Sequence, residues 1–337
     1  MVAYSTLKRV SVSALVVVAL GVTALTCAIA LFSPKAPPAL AAVENAGSHF
    51  GAIRDLPSVR YYTARDGTKL AYRAYPGIAG KGVIVMLHGS TGNSAVMHLL
   101  AGAFQARGHT VYALDLRGHG DNKPLGEVSY PGQLTDDLHD FSSYLQKWNP
   151  GERTLLLGHS SGGSLTLKFA ALGNAGDFDA YLALSPYISS NGLLARPQTG
   201  GWTSVAIPRI VALTILNRFG IHSFDDLPVI AFAVAKNAGP DRARVYSHAM
   251  LASINLPYRW QPALKAIRAP TRILIGSEDE LFFADRYPSQ IGAVNPEIDV
   301  KLVPGVGHMA MVYDSKAIAA ALSQAEALLA SLAHGGM

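Results

Sequence analysis

The residues Gly158-His159-Ser160-Ser161-Gly162 follow the apolar run Thr154-Leu155-Leu156-Leu157 and lead into Leu165-Thr166-Leu167-Lys168-Phe169-Ala170-Ala171-Leu172. A strand that passes through Gly-x-Ser-x-Gly into a helix reads as a nucleophile elbow. The serine sits in a strained backbone conformation, and only hydrogen at the flanking Cα positions lets the strand and helix approach so closely. The plain alternative is a Gly/Ser loop ahead of a helix, and the strand-turn-helix setting favours the elbow, with Ser160 Oγ exposed above a sheet.

A sheet with that crossover should recur along the chain. Strands are expected at 82–87, 110–115, 153–157, 180–184, 271–276 and 298–303, with helical patterns at 94–107, 132–148, 161–172 and 314–332 between most of them. Ahead of them, Val59 to Ala64 and Lys69 to Tyr75, joined by Arg65-Asp66-Gly67-Thr68, predict a β-hairpin. The order is that of an α/β fold, a mostly parallel sheet wrapped by helices. Its rhythm breaks between Ser185 and Ala269, where apolar stretches such as Val205 to Phe219 and Leu227 to Ala235 read as helical. An inserted helical cap at about 187–262 is expected there, able to wall a pocket for an acyl chain; core packing against the sheet would use the same apolar content.

The chain of 337 residues is long enough for one large domain of this kind, here 58–332. Half of the residues are hydrophobic and 15% are charged, which is apolar for a water-soluble protein. Part of the reason lies at residues 1–33. Val10 to Phe32 carries no charge, follows Lys8-Arg9, and as a helix would cross a hydrocarbon core of roughly 30 Å. The positive-inside rule keeps Lys8 and Arg9 cytoplasmic and places the domain on the extracytoplasmic side, held by this anchor. The alternative is a long secretory signal cleaved after Ala39-Leu40-Ala41, which would leave a secreted or periplasmic protein. Residues 34–57, rich in Pro, Ala and Gly, read as a linker. Cys27, the only cysteine, lies in the apolar run, so no intrachain disulfide can form. The net charge of +5 is dispersed, which gives no nucleic-acid footprint. Zinc-ligand spacing, a phosphate loop and internal repeats are all lacking in the sequence, and no obligate protein partner is evident in it.

Five short motifs occur in order: Leu87-His88-Gly89-Ser90-Thr91-Gly92, Asp115-Leu116-Arg117-Gly118-His119-Gly120, Gly158-His159-Ser160-Ser161-Gly162-Gly163, Gly276-Ser277-Glu278-Asp279 and Gly305-Val306-Gly307-His308. The set resembles the α/β-hydrolases, and within them the lysophospholipase and monoacylglycerol lipase branch that is also grouped with serine aminopeptidases. The resemblance covers residues 58–332 and is weakest in the cap.

A serine hydroxyl needs a base to take its proton and an acid to orient that base. His308, after the last strand and a Gly-Val-Gly turn, is the candidate base. His88, His119 and His159 compete, each inside another motif. On the pattern of the resemblance the acid is Asp279, with Glu278 and Glu280 as neighbours that cannot all face His308. The same pattern assigns the oxyanion to the backbone amides of Ser161 and Ser90; Thr91 is the alternative second donor, because Thr91-Gly92-Asn93-Ser94 departs from the Gly-x-His-Ser often found there. It gives Arg117-Gly118-His119-Gly120 a supporting role, with Asp115 buried in that network. The implied activity is hydrolysis of a carboxylic ester, of a lipid or other hydrophobic acyl group, with no cofactor and no metal. Amide or peptide cleavage or acyl transfer would use the same three residues. A peptidase would be expected to offer an acid to a free amino terminus, for which Asp225-Asp226 is available, although the pair also fits a solvated helix start. A membrane-tethered binding protein without turnover is the remaining reading.

Overall fold

The computed structural model describes residues 2–41, 54–173, 176–190, 192–234 and 238–334. Half of the proposed linker, 42–53, therefore lies outside the described residues. The strands are β1 (Val59–Thr63), β2 (Lys69–Tyr75), β3 (Val83–Leu87), β4 (Thr110–Leu114), β5 (Thr154–His159), β6 (Ala180–Leu184), β7 (Thr203–Val205), β8 (Pro228–Phe232), β9 (Val245–Ser247), β10 (Thr271–Gly276) and β11 (Asp299–Val303). The helices are α1 (Val2–Leu31), α2 (His98–Ala106), α3 (Gln133–Trp148), α4 (Ser161–Leu172), α5 (Ile207–Arg218), α6 (His248–Ile254), α7 (Gln261–Ala266), α8 (Tyr287–Gly292) and α9 (Ser315–His334).

Eight strands form one sheet in the order β1-β2-β4-β3-β5-β6-β10-β11. The β1–β2 and β2–β4 pairs are antiparallel and the others are parallel. Strand alternation divides the core between the two faces. Ile84, Met86, Leu155 and Leu157 pack with Phe104 of α2 and Leu328 of α9, whereas Val85, Leu87 and Leu156 pack with Phe141 of α3 and Phe169 of α4. Covered on both faces, the central strands read as continuous apolar runs. The architecture is the α/β-hydrolase fold anticipated from the motif order.

The insertion joins β6 to β10, which are adjacent in the sheet. It contains α5 and α6, and also a three-stranded antiparallel sheet in the order β7-β8-β9. The expectation of an all-helical segment is corrected at Leu227 to Ala235, where Pro228–Phe232 is a strand. Five apolar residues cannot distinguish a buried strand from a helix turn by periodicity, and here pairing with Thr203–Val205 and Val245–Ser247 decides the state.

At the end of β5 the chain turns through Ser160, with φ 57° and ψ −118°. A conformation this sparsely populated costs on the order of 1–3 kcal/mol, which the surroundings must over-determine. The Ser160 amide donates to the Leu184 carbonyl at 2.9 Å, and the Ser164 amide donates to the Ser160 carbonyl at 3.0 Å. A Cβ on Gly158 would overlap the Gly162 carbonyl and Thr166 Oγ1, and one on Gly162 would overlap the Leu87 and His88 carbonyls. Both positions meet backbone, which cannot swing away. Gly162→Ala is therefore expected to destabilise the domain by about 3 kcal/mol or more, read as a lower urea midpoint at unchanged m. A midpoint equal to wild type would contradict this account of the elbow.

Candidate active site

The elbow sets Ser160 at the ends of the parallel strands. The loop after β10 supplies Asp279, and the loop after β11 supplies His308. His308 Nε2 lies 2.9 Å from Ser160 Oγ, and His308 Nδ1 lies 2.8 Å from Asp279 Oδ2. The other carboxylate oxygen of Asp279 accepts the amides of Leu281 and Phe282, each at 2.9 Å. Burial by itself would raise the Asp279 pKa, but the facing His308 and these amide hydrogen bonds outweigh it and hold the carboxyl below its ordinary value. An ionised Asp279 accepts from Nδ1–H, which leaves the Nε2 lone pair for the Ser160 hydroxyl proton. Ser160, Asp279 and His308 are 8%, 1% and 1% exposed, so bulk water scarcely competes for these bonds.

His308 is braced from three sides. Its amide donates to Glu280 Oε2 at 2.8 Å, its carbonyl accepts from His159 Nε2 at 3.0 Å, and the Phe282 ring meets its imidazole edge-on at 4.9 Å. The two glutamates beside Asp279 thus have separate fates, with Glu278 exposed and Glu280 holding backbone. The other histidines in the motifs are buried and neutral. Burial pushes His159 down to about 3, helped by the neighbouring His308; His88 goes to about 4; His119 goes to about 3, helped by His88. None of them faces Ser160 Oγ through a hydrogen bond.

The loop after β3 approaches the elbow closely enough that a Cβ on Gly89 would stand 3.0 Å from Ser160 Cβ. Among the described residues the Ser90 amide meets no acceptor, nor does that of Ser161 at the first position of α4, the positive end of that helix dipole. The Thr91 amide differs, because it donates to Tyr246 Oη at 3.3 Å. Asp115 is buried as expected, accepting the amides of Ser94 at 2.6 Å and Asp121 at 3.1 Å. Arg117 pairs with Asp137 at 2.7 Å and Asp66 at 3.0 Å, which ties the motif turn to α3 and the first hairpin. Asp225 is also occupied: it is 6% exposed and accepts from His248 Nδ1 at 2.8 Å, His222 Nδ1 at 3.0 Å and Asn217 Nδ2 at 2.9 Å. It is not a solvated helix start, and it fastens the end of α5 to the start of α6.

A family model described as serine aminopeptidase, S33, matches residues 79–315. The chain belongs to this family of serine hydrolases. It is 23% identical over 258 residues to the monoacylglycerol lipase of Mycolicibacterium smegmatis, a match spanning 72% of this chain and 86% of that protein. Its fold resembles a soluble variant of monoglyceride lipase from Saccharomyces cerevisiae, with a TM-score of 0.60, 18% identity, and coverage of 82% of this chain and 96% of that one. It also resembles the Paleococcus ferrophilus monoacylglycerol lipase, with a TM-score of 0.56, 18% identity, and coverage of 78% and 99%. The chain is thus an α/β-hydrolase whose relatives and structural neighbours include monoacylglycerol lipases.

What sequence reasoning missed here is the bracing by Glu280, weighed only as a rival acid, and the contact from Tyr246 to Thr91, which no local pattern announces. The buried histidines carry a consequence for stability. Each has a folded pKa below its unfolded value near 6.5, so below that pH the unfolded chain binds protons that the folded chain refuses. Stability is fully present above about pH 6.5 and falls as the pH drops toward 4, by roughly 1.4 kcal/mol per pH unit for each histidine. Asp279, with its pKa lowered, loses its contribution only at still lower pH. Guanidinium unfolding followed between pH 6 and 5 should show an uptake of two to three protons; an uptake below one contradicts the neutral, buried assignment.

Proposed function

We propose that this protein hydrolyses a carboxylic ester of a lipid or another hydrophobic acyl substrate through an acyl-enzyme on Ser160. The observation that carries the reading is the unbroken path Ser160 Oγ, His308 Nε2, His308 Nδ1, Asp279 Oδ2, with both contacts under 3 Å. Ser160 Oγ attacks the ester carbonyl while its proton passes to His308 Nε2, and Asp279 stabilises the imidazolium so formed. The Ser90 and Ser161 amides receive the developing oxyanion; their lack of acceptors suits donors reserved for a charge that appears only during reaction. The tetrahedral adduct collapses as His308 returns the proton to the leaving alcohol oxygen. Water then attacks the acyl-enzyme, giving its proton to His308, and the carboxylic acid leaves as Ser160 regains its hydrogen.

Two features support a lipid-derived acyl group. The relatives include the monoacylglycerol lipase of M. smegmatis. The insertion, which we read as a cap over the site, also carries an outward apolar face: Ile207, Val211 and Ile215 recur every fourth residue along α5, and Phe219, 78% exposed, continues it with Ile221 and Phe224. One helix among the described residues, Ala14–Leu31 within α1, is long and apolar enough to cross a membrane. Its C-terminal end touches α5, where Arg209 Nε donates to the Ile29 carbonyl at 2.9 Å. A bilayer holding α1 would therefore lie beside the apolar face of the cap. We read α1 as a retained anchor with the domain on the extracytoplasmic side, the orientation favoured by Lys8 and Arg9. Of the pair Asp225-Asp226 offered to a peptidase, Asp225 is buried and already bonded, and Asp226 stays exposed.

A fluorophosphonate probe should label the wild type, and Ser160→Ala should abolish labelling and lower kcat on p-nitrophenyl esters by 10⁴-fold or more. Rates over esters of increasing acyl length should rise toward long chains. Equal labelling of both proteins would end the Ser160 assignment, and activity confined to acetate would end the lipid one.

A further inference from the structure

The loop carrying Ser90 is held largely by the insertion. Trp202 Nε1 donates to Ser90 Oγ at 3.1 Å, Tyr246 Oη accepts the Thr91 amide at 3.3 Å, and Arg242 Nη1 donates to the Thr91 carbonyl at 3.2 Å. Asn93 Nδ2 donates to Asp241. Each amide plane next to Thr91 is thus gripped by a residue that lies about 150 positions further along the chain.

These grips bear on a strained residue. Thr91 has φ +63°, a left-handed conformation that a β-branched residue adopts rarely and does not keep unless its surroundings impose it. The direction of each hydrogen bond is also fixed. His119 Nδ1–H is directed to the Arg117 carbonyl at 3.1 Å, so its Nε2 offers a lone pair to the Tyr246 hydroxyl at 2.6 Å. The phenol proton being committed to His119, Tyr246 Oη presents only acceptor capacity to the Thr91 amide. Tyr246 and His119 are both fully or nearly fully buried, so water does not replace either partner.

We propose that Tyr246 and Arg242 are positioning residues for the oxyanion hole. By fixing Thr91 in its left-handed conformation they aim the neighbouring Ser90 amide at the carbonyl held over Ser160, and the seating of the cap decides whether the hole is formed. The inference rests on the ester-hydrolase reading of Ser160 and deepens it. Loss of the grips lets Thr91 relax toward negative φ, which rotates the peptide beside Ser90 and carries its amide out of line. Substrate binding is left in place, because the hole acts on charge that appears only in the transition state.

The test compares full-length wild type, Tyr246→Phe, Arg242→Ala and Arg242→Lys in one detergent or vesicle preparation. It reads kcat and KM on a p-nitrophenyl ester and the affinity for an aliphatic trifluoromethyl ketone, whose tetrahedral serine adduct places an oxyanion in the hole. Tyr246→Phe and Arg242→Ala should lower kcat tenfold to a hundredfold with KM within about twofold, and should weaken the ketone in the same proportion. Arg242→Lys, which keeps a cationic donor, should recover a substantial part of both. Values of kcat and ketone affinity within twofold of wild type in both loss variants overturn the proposal, as does a fall in kcat with ketone affinity unchanged. If Tyr246→Phe does not fold, the Arg242 pair decides alone. Failure of the ester-hydrolase reading is separately visible, since wild type would then neither turn over the ester nor bind the ketone.

Discussion

The close approach of β5 to α4 is the constraint on which the remainder of the site depends. It forces Ser160 into a conformation with φ 57°, and the chain sustains it by omitting side chains at Gly158 and Gly162, where any carbon would run into main chain. Once the elbow is fixed, two further positions follow. Ser161 becomes the first residue of α4 with its amide free, and Gly89 packs on Ser160 Cβ, which brings the amide after it to the same place. A parallel sheet makes this economical, because β3, β5, β10 and β11 deliver their ends to one edge and each end contributes a loop. The strain at the elbow is balanced by ordinary packing in the apolar strands below, well away from the chemistry.

Burial then separates the four histidines at that edge into two kinds. His88, His119 and His159 are buried without a carboxylate partner, and desolvation keeps them neutral donors and acceptors that hold backbone in place. His308 alone faces an aspartate whose own charge is kept by the two amides behind it. A proton taken by His308 is therefore met by a fixed negative charge, whereas one taken by its neighbours would not be. On the proposed reading, the difference between a supporting imidazole and a proton carrier lies in the backbone amides of Leu281 and Phe282 that hold Asp279.

How much of this was readable in the chain depends on sequence distance. The elbow is a local object, and Gly158 to Gly162 with its flanking strand and helix states it outright. The grouping of Ser160, Asp279 and His308 is not local, but each follows a strand at a motif, so the order of motifs named three side chains that the structure brings within hydrogen-bond distance. The insertion was the opposite case. Pro228–Phe232 is too short to declare its state, and its partners β7 and β9 are three residues each. Asp225 looked like a solvated acid at a helix start because its partners Asn217 and His248 stand in different elements. Thr91 gave no sign of a positive φ, since the residues that impose it arrive from another part of the chain.

On the proposed reading of a hydrolase held at a bilayer, the insertion joins the apolar face to the loop that carries Ser90. On β9, Val245 is exposed and the next residue, Tyr246, is buried against Thr91 and His119, as strand alternation requires. A short strand thus has one side directed outward and the other gripping the loop that carries Ser90. In the same layer, β8 pairs with β9 and also with β7, which leads directly into α5 and its apolar face. On the proposed reading, displacement of α5 by a lipid surface or an incoming acyl chain would reach Tyr246 through the paired strands β7, β8 and β9. On the same reading, a hydrophobic ligand has no charge with which to reach an oxyanion hole electrostatically, so any influence of the apolar face on the chemistry would pass through packed backbone of this kind.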